Sequence, residues 1–479
     1  MKFTRHLIGY APVKILAMLC SFGGIYLYTR LLSPEDYGRY ALMFSVMALI
    51  HMLSLTWVEA SSYRMGGEYK TASDRANHFR TATTLMLASL GVTALLLTVL
   101  FFFSRNAAEY RNFIPFMAVI MPLNTLIKIA MEAHRAQQNV KRFMLSAMAK
   151  LAIGFSVGVL LAWKSGLGAL APFAGLATGA VILACVEGRW VLAQALKGQT
   201  ESKTMRRWMA FGIPAAFALG LDLMLSSADR FLIAYYMGEA AVGSYAAGYG
   251  VADKTVVFLI SWIAMAGSPL LMEAFEKGDQ ALLNKRAKDF AILILVAGLP
   301  VATGIALVAN PLADAMIGES LRSSAKSIIP WIAFSGLLNG VLAFYVSESF
   351  HLVKKMRLKA VLMIFPLALN IILNVMLIPI YGLMGAVSAT LISYIFAVIL
   401  VGAIGRKHVA LPIPFKEAAL IMMACGAMYP VKFIALGFGP WVDLFAMAAC
   451  GAIIYTVIIG SFDIAGVRGW ARKTLGAAA

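Results

Sequence analysis

Long apolar runs alternate with short polar breaks along the whole chain. The runs fall at 9–29, 38–60, 80–103, 113–132, 143–163, 169–191, 209–236, 241–270, 289–310, 327–348, 359–380, 383–404, 416–436 and 441–462. Each can cross about 30 Å of hydrocarbon as a helix, which takes about 20 residues. The runs are continuous rather than alternating, so a strand barrel is excluded. The pattern predicts an all-α polytopic membrane protein with about 14 transmembrane helices. The longest polar stretches lie near 192–208 and 273–288. Neither has room for an inserted soluble domain.

Composition agrees with the pattern. Of 479 residues, 61% are hydrophobic and 13% charged, whereas soluble chains run about 45–50% apolar and about 25% charged. Mean hydropathy is +0.81. A soluble enzyme, a disordered chain and a disulfide scaffold are all disfavoured. Cys20, Cys185, Cys425 and Cys450 sit far apart in apolar runs without CxxC spacing, so neither a disulfide framework nor a metal site is predicted. There is no Walker A pattern, and no cofactor is expected.

The net charge of +18 would suggest a nucleic-acid partner on a soluble protein. With the N-terminus placed inside, however, 30 of the 41 Lys and Arg residues fall on inner segments and nine on outer ones. That asymmetry sets topology, with both termini cytoplasmic. It removes the case for nucleic acid. Lys128 and Lys254 are left deep within spans. Lys2, Arg5 and Lys14 lead into a run that reaches Arg30 without a small-residue cleavage site, which reads as a retained first helix.

Two turn motifs recur. Asp36-Tyr37-Gly38-Arg39-Tyr40-Ala41 shares Gly, Tyr and Ala with Ala241-Val242-Gly243-Ser244-Tyr245-Ala246. Ser165-Gly166-Leu167-Gly168-Ala169 matches Tyr381-Gly382-Leu383-Met384-Gly385-Ala386 around Gly168 and Gly385. Both matches fall between equivalent spans in the same order, which predicts an internal duplication with parallel repeats. The expected organisation is a six-helix lobe at 1–191, a cytoplasmic linker at 192–208, a second six-helix lobe at 209–405, and two further helices with a tail at 406–479. Prolines inside spans (Pro12, Pro122, Pro214, Pro269, Pro300 and Pro366) permit bends.

Charged residues within spans cost about 2.5–3.5 kcal/mol each on insertion scales, so each is a functional candidate. Asp222, Ser226, Asp229 and Arg230 share a face of the seventh span. Asn124, Lys128 and Glu132 share a face of the fourth, and Asp253 and Lys254 lie near mid-membrane in the eighth. Asn339 and Glu348 mark the tenth span; Asn370 and Asn374 share a face of the eleventh. Structural accounts stand beside each. Lys128 and Glu132 can pair at i, i+4; Asp229 and Arg230 can brace helices; Asp253 can partner Lys254. Arg30 can snorkel, and the two asparagines can act as packing glue. Tyr245, Tyr249 and Trp262 suit either sugar stacking or core packing.

The segment from Tyr28 to Tyr40, Tyr-Thr-Arg-Leu-Leu-Ser-Pro-Glu-Asp-Tyr-Gly-Arg-Tyr, resembles the first-loop signature of the Wzx-type polysaccharide exporter flippases. Ser227-Ala228-Asp229-Arg230-Phe231-Leu232-Ile233-Ala234, followed by Gly238 and Val242-Gly243-Ser244-Tyr245, resembles that family's seventh-span pattern. The resemblance runs from about residue 5 to 405. It places the chain in the superfamily that also holds MATE drug exporters and lipid II flippases.

The resemblance implies a bacterial inner-membrane flippase rather than an enzyme. Its substrate would be a polyprenyl-pyrophosphate-linked oligosaccharide, moved outward by alternating access. Arg30, Arg230 and Lys254, then Lys128, are the expected pyrophosphate contacts, since Arg and Lys suit phosphate. Buried acids are at least as numerous as buried cations, so this assignment leans on the resemblance. A negative-inside potential favours outward movement of an anion by about 2.3 kcal/mol per charge per 100 mV. Asp222 or Asp253 can instead carry a coupling ion. Polysaccharide polymerase or assembly proteins are possible partners. Two alternatives remain. A MATE-like exporter of organic cations would favour an acid in the first span, which this chain lacks. A glycan polymerase or ligase would need larger outer loops.

Overall fold

The computed structural model describes residues 2–66, 71–104, 107–137, 139–434 and 436–463, the side chains of 2–11 excepted. Arg105 and the basic tail at 468–473 lie outside these residues. Every regular element among the described residues is helical. The chain forms two compact units, Met1–Gly243 and Ser244–Ala479.

The first unit holds α1 (Lys2–Leu31), α2 (Pro34–Ser54), α3 (Thr56–Met65), α4 (Ala72–Phe103), α5 (Ala108–Arg111), α6 (Ile114–Ala136), α7 (Val140–Lys164), α8 (Ala171–Leu183), α9 (Arg189–Ala195) and α10 (Ser202–Met237). The boundary falls within α11 (Glu239–Glu276). The second unit continues with α12 (Gln280–Leu307), α13 (Ala309–Met316), α14 (Glu319–Val341), α15 (Glu348–Leu352), α16 (Met356–Tyr381), α17 (Leu383–Arg406), α18 (Phe415–Gly426) and α19 (Pro440–Ser461).

Among the described residues, twelve helical segments are long and apolar enough to span a membrane, or thirteen if α2 and α3 count as one bent span. The expected count of 14 therefore falls short at two places. The run at 38–60 breaks at Leu55, where the axis turns by 55°. Ser54 Oγ donates to the Ile50 carbonyl at 2.7 Å there, a back-bond that competes with the helix ladder and promotes bending. The run at 416–436 yields only the 12 residues of α18. Pro430 then opens a short 3-10 turn, Tyr429–Phe433, because its ring and missing N–H do not continue an α-helix.

Local sequence explains the helix ends. Ser33 caps α2, its Oγ accepting from Asp36 N at 3.1 Å, with Pro34 in the first turn. Thr71 and Asp74 form a reciprocal capping box on α4. The prolines expected inside spans all lie within continuous helices.

In the first unit, α7 and α8 meet through paired small residues. Gly154 and Gly158 face Gly175 and Gly179, and a Cβ on Gly175 would sit 2.6 Å from Gly158 Cα. Close backbone approach of this kind drives helix association in lipid, where apolar surface alone gives no preference. Leu55, Val58, Phe79, Phe113, Met117 and Trp208 fill the core between α2, α3, α4, α6 and α10. α10 packs against α2 and α3, with Ser61 Oγ donating to the Trp208 carbonyl at 2.8 Å. The expected second lobe begins at 209; α10 lies in the first compact unit, which runs to Gly243.

In the second unit, α14 packs against α12 and α17, and α16 against α17. The turn between α16 and α17 needs Gly382, whose φ is 57°. The C-terminal pair packs on α12 and α13: Tyr455 Oη donates to the Val296 carbonyl at 2.8 Å, and Lys288 pairs with Glu417 at 2.7 Å.

Candidate functional site

A cavity of about 440 Å³ opens inside the first unit, between α2, α3, α6 and α7. Apolar walls come from Phe44, Met47, Ile120 and Met131, and the polar lining from His51, Glu59, Asn124, Lys128, Glu132 and Lys150. The bend at Leu55 is what brings α3 across the cavity and presents Glu59 to it.

Glu59 is buried and fully engaged. His51 Nε2 lies 2.9 Å from one carboxylate oxygen, to which Thr125 Oγ1 also donates at 3.0 Å. Lys128 Nζ pairs with the other oxygen at 2.9 Å. Two helices, α2 and α6, thus converge on one carboxylate of α3. Glu132 takes both donor bonds from Arg135 Nη1, at 3.0 and 3.2 Å. The i, i+4 partnership of Lys128 with Glu132 is therefore replaced by Lys128–Glu59 and Arg135–Glu132. Lys150 enters the cavity from α7 and is partly buried.

A second cluster sits where the chain between α8 and α9 widens into a π-helical turn, Ala184–Gly188. Glu187 is buried there. It receives His134 Nε2 at 2.9 Å, Arg142 Nε and Nη2 at 3.1 Å each, and Ser146 Oγ at 2.7 Å. Trp190 stacks on His134 and lies under the Arg142 guanidinium.

At the start of α2, Arg39 joins Asp36 at 3.1 Å, Glu239 at 2.7 Å and also Glu109, while Tyr110 donates to Glu239. Gly38 permits the approach: a Cβ there would lie 2.9 Å from Gly243 N and closer still to the Glu239 carbonyl. The signature Asp-Tyr-Gly-Arg thus marks a helix crossing.

The other expected site residues are not among those that line this cavity. Arg30 ends α1, its guanidinium over the Tyr26 ring at 3.8 Å and donating to the Tyr26 carbonyl at 2.8 Å. Arg230, on α10, donates to Ser45 Oγ of α2 at 2.9 Å beside a fully buried Asp229. Asp222 lies about two turns earlier on α10 and is partly buried. Asp253 and Lys254 belong to the second unit, Asp253 buried and Lys254 exposed. Of the four expected contacts, only Lys128 lines the cavity. Asn370 and Asn374 are buried, with Asn374 Nδ2 donating to the Asn370 carbonyl at 2.9 Å. Tyr245 and Tyr249 are buried; Trp262 is exposed.

Sequence reasoning missed Glu59, His51 and Lys150. Glu59 is an acid inside the apolar run 38–60, a signal of the same kind that exposed Lys128. Lys150 was hidden by its position at the edge of an inner basic segment.

A polysaccharide biosynthesis protein family model matches residues 27–326. The chain belongs to that family. Its fold is shared with solved transporters. A lipid II flippase MurJ in an inward closed conformation has a TM-score of 0.69 at 14% identity, over 95% of this chain and 98% of that one. An inward-facing multidrug resistance MATE family transporter of the MOP superfamily has a TM-score of 0.65 at 16% identity, covering 82% and 94%. A MOP superfamily transporter from Pyrococcus furiosus, described as having a binding pocket of reverse polarity, scores 0.55 at 18% identity, covering 84% and 93%. At such identities the likeness is one of fold. No match was found among curated proteins. The polysaccharide family member is thus a multi-pass membrane protein with the MurJ and MATE architecture.

Proposed function

We propose that this polysaccharide biosynthesis protein is a flippase for a polyprenyl-pyrophosphate-linked oligosaccharide, moving it from the cytoplasmic to the outer leaflet of a bacterial inner membrane. The observation that carries the reading is a lysine-bearing cavity of about 440 Å³ within a unit of membrane-spanning helices, in a chain of this family. The volume suits a polar head, while a polyprenyl tail stays in the bilayer. Two repeats, 1–191 and 209–405, would supply alternating access. Arg30, Arg230, Lys254 and Lys128 contact pyrophosphate during the cycle. Asp222 or Asp253 carries a coupling ion if the membrane potential alone is insufficient.

The fold also admits a MATE-like exporter of organic cations. Such a substrate needs an available carboxylate, and in this cavity Glu59 and Glu132 are each engaged by a basic side chain.

The test is gene deletion with complementation. Deletion should leave the glycan-lipid on the inner leaflet, and the native chain should restore export. Arg230→Ala and Lys254→Ala should fail to restore it; full rescue by both removes those residues from the mechanism. Undisturbed glycan export after deletion rejects the flippase reading.

A further inference from the structure

The cavity in the first unit contains two groups whose bonding is incomplete. Lys150 makes no hydrogen bond or ion pair among the described residues, although it lies within electrostatic range of Glu59 and Lys128. Asn124 Oδ1 is buried without a hydrogen-bond partner. The remaining charges there are matched, Lys128 with Glu59 and Glu132 with Arg135. The cavity is left with one positive charge in excess and one idle amide acceptor.

A partly buried cation without a counter-ion loses hydration for no return, and an unsatisfied buried acceptor is costly. Both costs are relieved together by a ligand carrying an anion and a hydroxyl donor. We propose that Lys150 is the phosphate contact for an anionic lipid head bound inside this unit, with Asn124 accepting from a hydroxyl of the attached sugar. This rests on the flippase reading for the substrate's identity, not for the site's existence.

Lysine suits the task. Its compact ammonium binds phosphate as a point charge without the fixed paired geometry of arginine. A transported head must also leave. Lys128, drawn toward Glu59 by His51 and Thr125 positioning that carboxylate, is the second cation within reach. Glu59 is a positioning residue: it sets how much positive charge Lys128 offers the ligand.

The experiment uses the full chain purified in detergent, with farnesyl pyrophosphate, inorganic pyrophosphate and farnesol as probes. Farnesyl pyrophosphate should bind. Lys150→Ala and Lys150→Gln should each weaken it about tenfold or more, and Lys150→Arg should retain most affinity. Melting temperature without ligand separates lost binding from lost folding, and Lys150→Gln keeps the side-chain bulk if Lys150→Ala misfolds. Farnesol binding that matches farnesyl pyrophosphate overturns the proposal. So does equal binding of inorganic pyrophosphate, which would make the site one for free phosphate. Unchanged affinity in both neutral variants also overturns it while leaving the flippase reading intact. Lys150-dependent binding with undisturbed glycan export after gene deletion upholds the site and rejects the flippase reading.

Discussion

Glu59 and Glu187 are built from the same parts and have different surroundings. Each is 3% exposed and is met by a histidine at 2.9 Å, a hydroxyl and a basic side chain. Around Glu187 the base is an arginine held by two parallel bonds, and the histidine stacks on Trp190. Around Glu59 the base is a lysine held by one contact, with 51% of its side chain exposed to the cavity. A bidentate guanidinium against an indole is fixed in position and direction. An ammonium beside open space can be redirected. The comparison separates a brace from a site that can respond to a ligand, although the residue lists look alike.

The largest expected effect lies at the brace. Glu187→Ala leaves His134, 2% exposed, and Ser146 without their acceptor, and strands Arg142 against Trp190. Removing one member of a buried ionic network costs about 3 kcal/mol, which should appear as a marked fall in melting temperature in detergent and in folded yield. A melt like that of the native chain would show that Glu187 braces nothing.

Arg142→Lys tests the geometry. Lysine keeps the charge and loses one of the two parallel bonds, so about 1–2 kcal/mol of stability should go. If the melt is unchanged, charge alone accounts for the brace, and the contrast with Lys128 loses its basis.

The difference between these clusters was only partly legible in the sequence. Continuous apolar runs dictate a helical membrane protein, because solvent and length constrain them residue by residue. The cavity depends on Leu55, where a helix bends without a proline, and that bend has no strong local signature. Lys128 was visible because it interrupts an apolar run. Lys150 was not, because it follows Lys141 and Arg142 and so counts with the neighbouring loop cations, although it lies in the middle of α7. Its partner assignment was equally hidden: i, i+4 spacing offers Glu132 to Lys128, and the tertiary fold brings Glu59 instead. Pro430 did carry a local signal, and it lies in the thirteenth apolar run just past the end of α18 at Gly426.

Glu59→Gln should cost less stability than any change at the brace, within about 1 kcal/mol, because Lys128 can turn toward the cavity. Its effect should appear in transport. With Lys128 no longer neutralised, the cavity gains positive charge, and an anionic head should bind more tightly and leave more slowly. Farnesyl pyrophosphate affinity should rise about threefold to tenfold, a gain of up to about 1.4 kcal/mol, while glycan export in complemented cells falls. Weaker binding by Glu59→Gln would mean that the carboxylate positions Lys128 for the ligand rather than holding it back.

The smallest effect should come from a short pair at the surface. Lys277 Nζ lies 2.5 Å from Glu273 at i, i+4, and Arg286 reaches the other oxygen at 3.0 Å. If separation decided strength, Lys277→Ala would rival the change at Glu187. Lys277 and Glu273 are 58% and 46% exposed, so water and salt screen the attraction and two mobile side chains pay entropy to keep it. Lys277→Ala should therefore shift stability by no more than about 0.5 kcal/mol, read from the same detergent melt. A loss near that of Glu187→Ala would show that contact length, and not enclosure, ranks these clusters. The distinction between brace and site would then have to rest on the lysine's mobility alone.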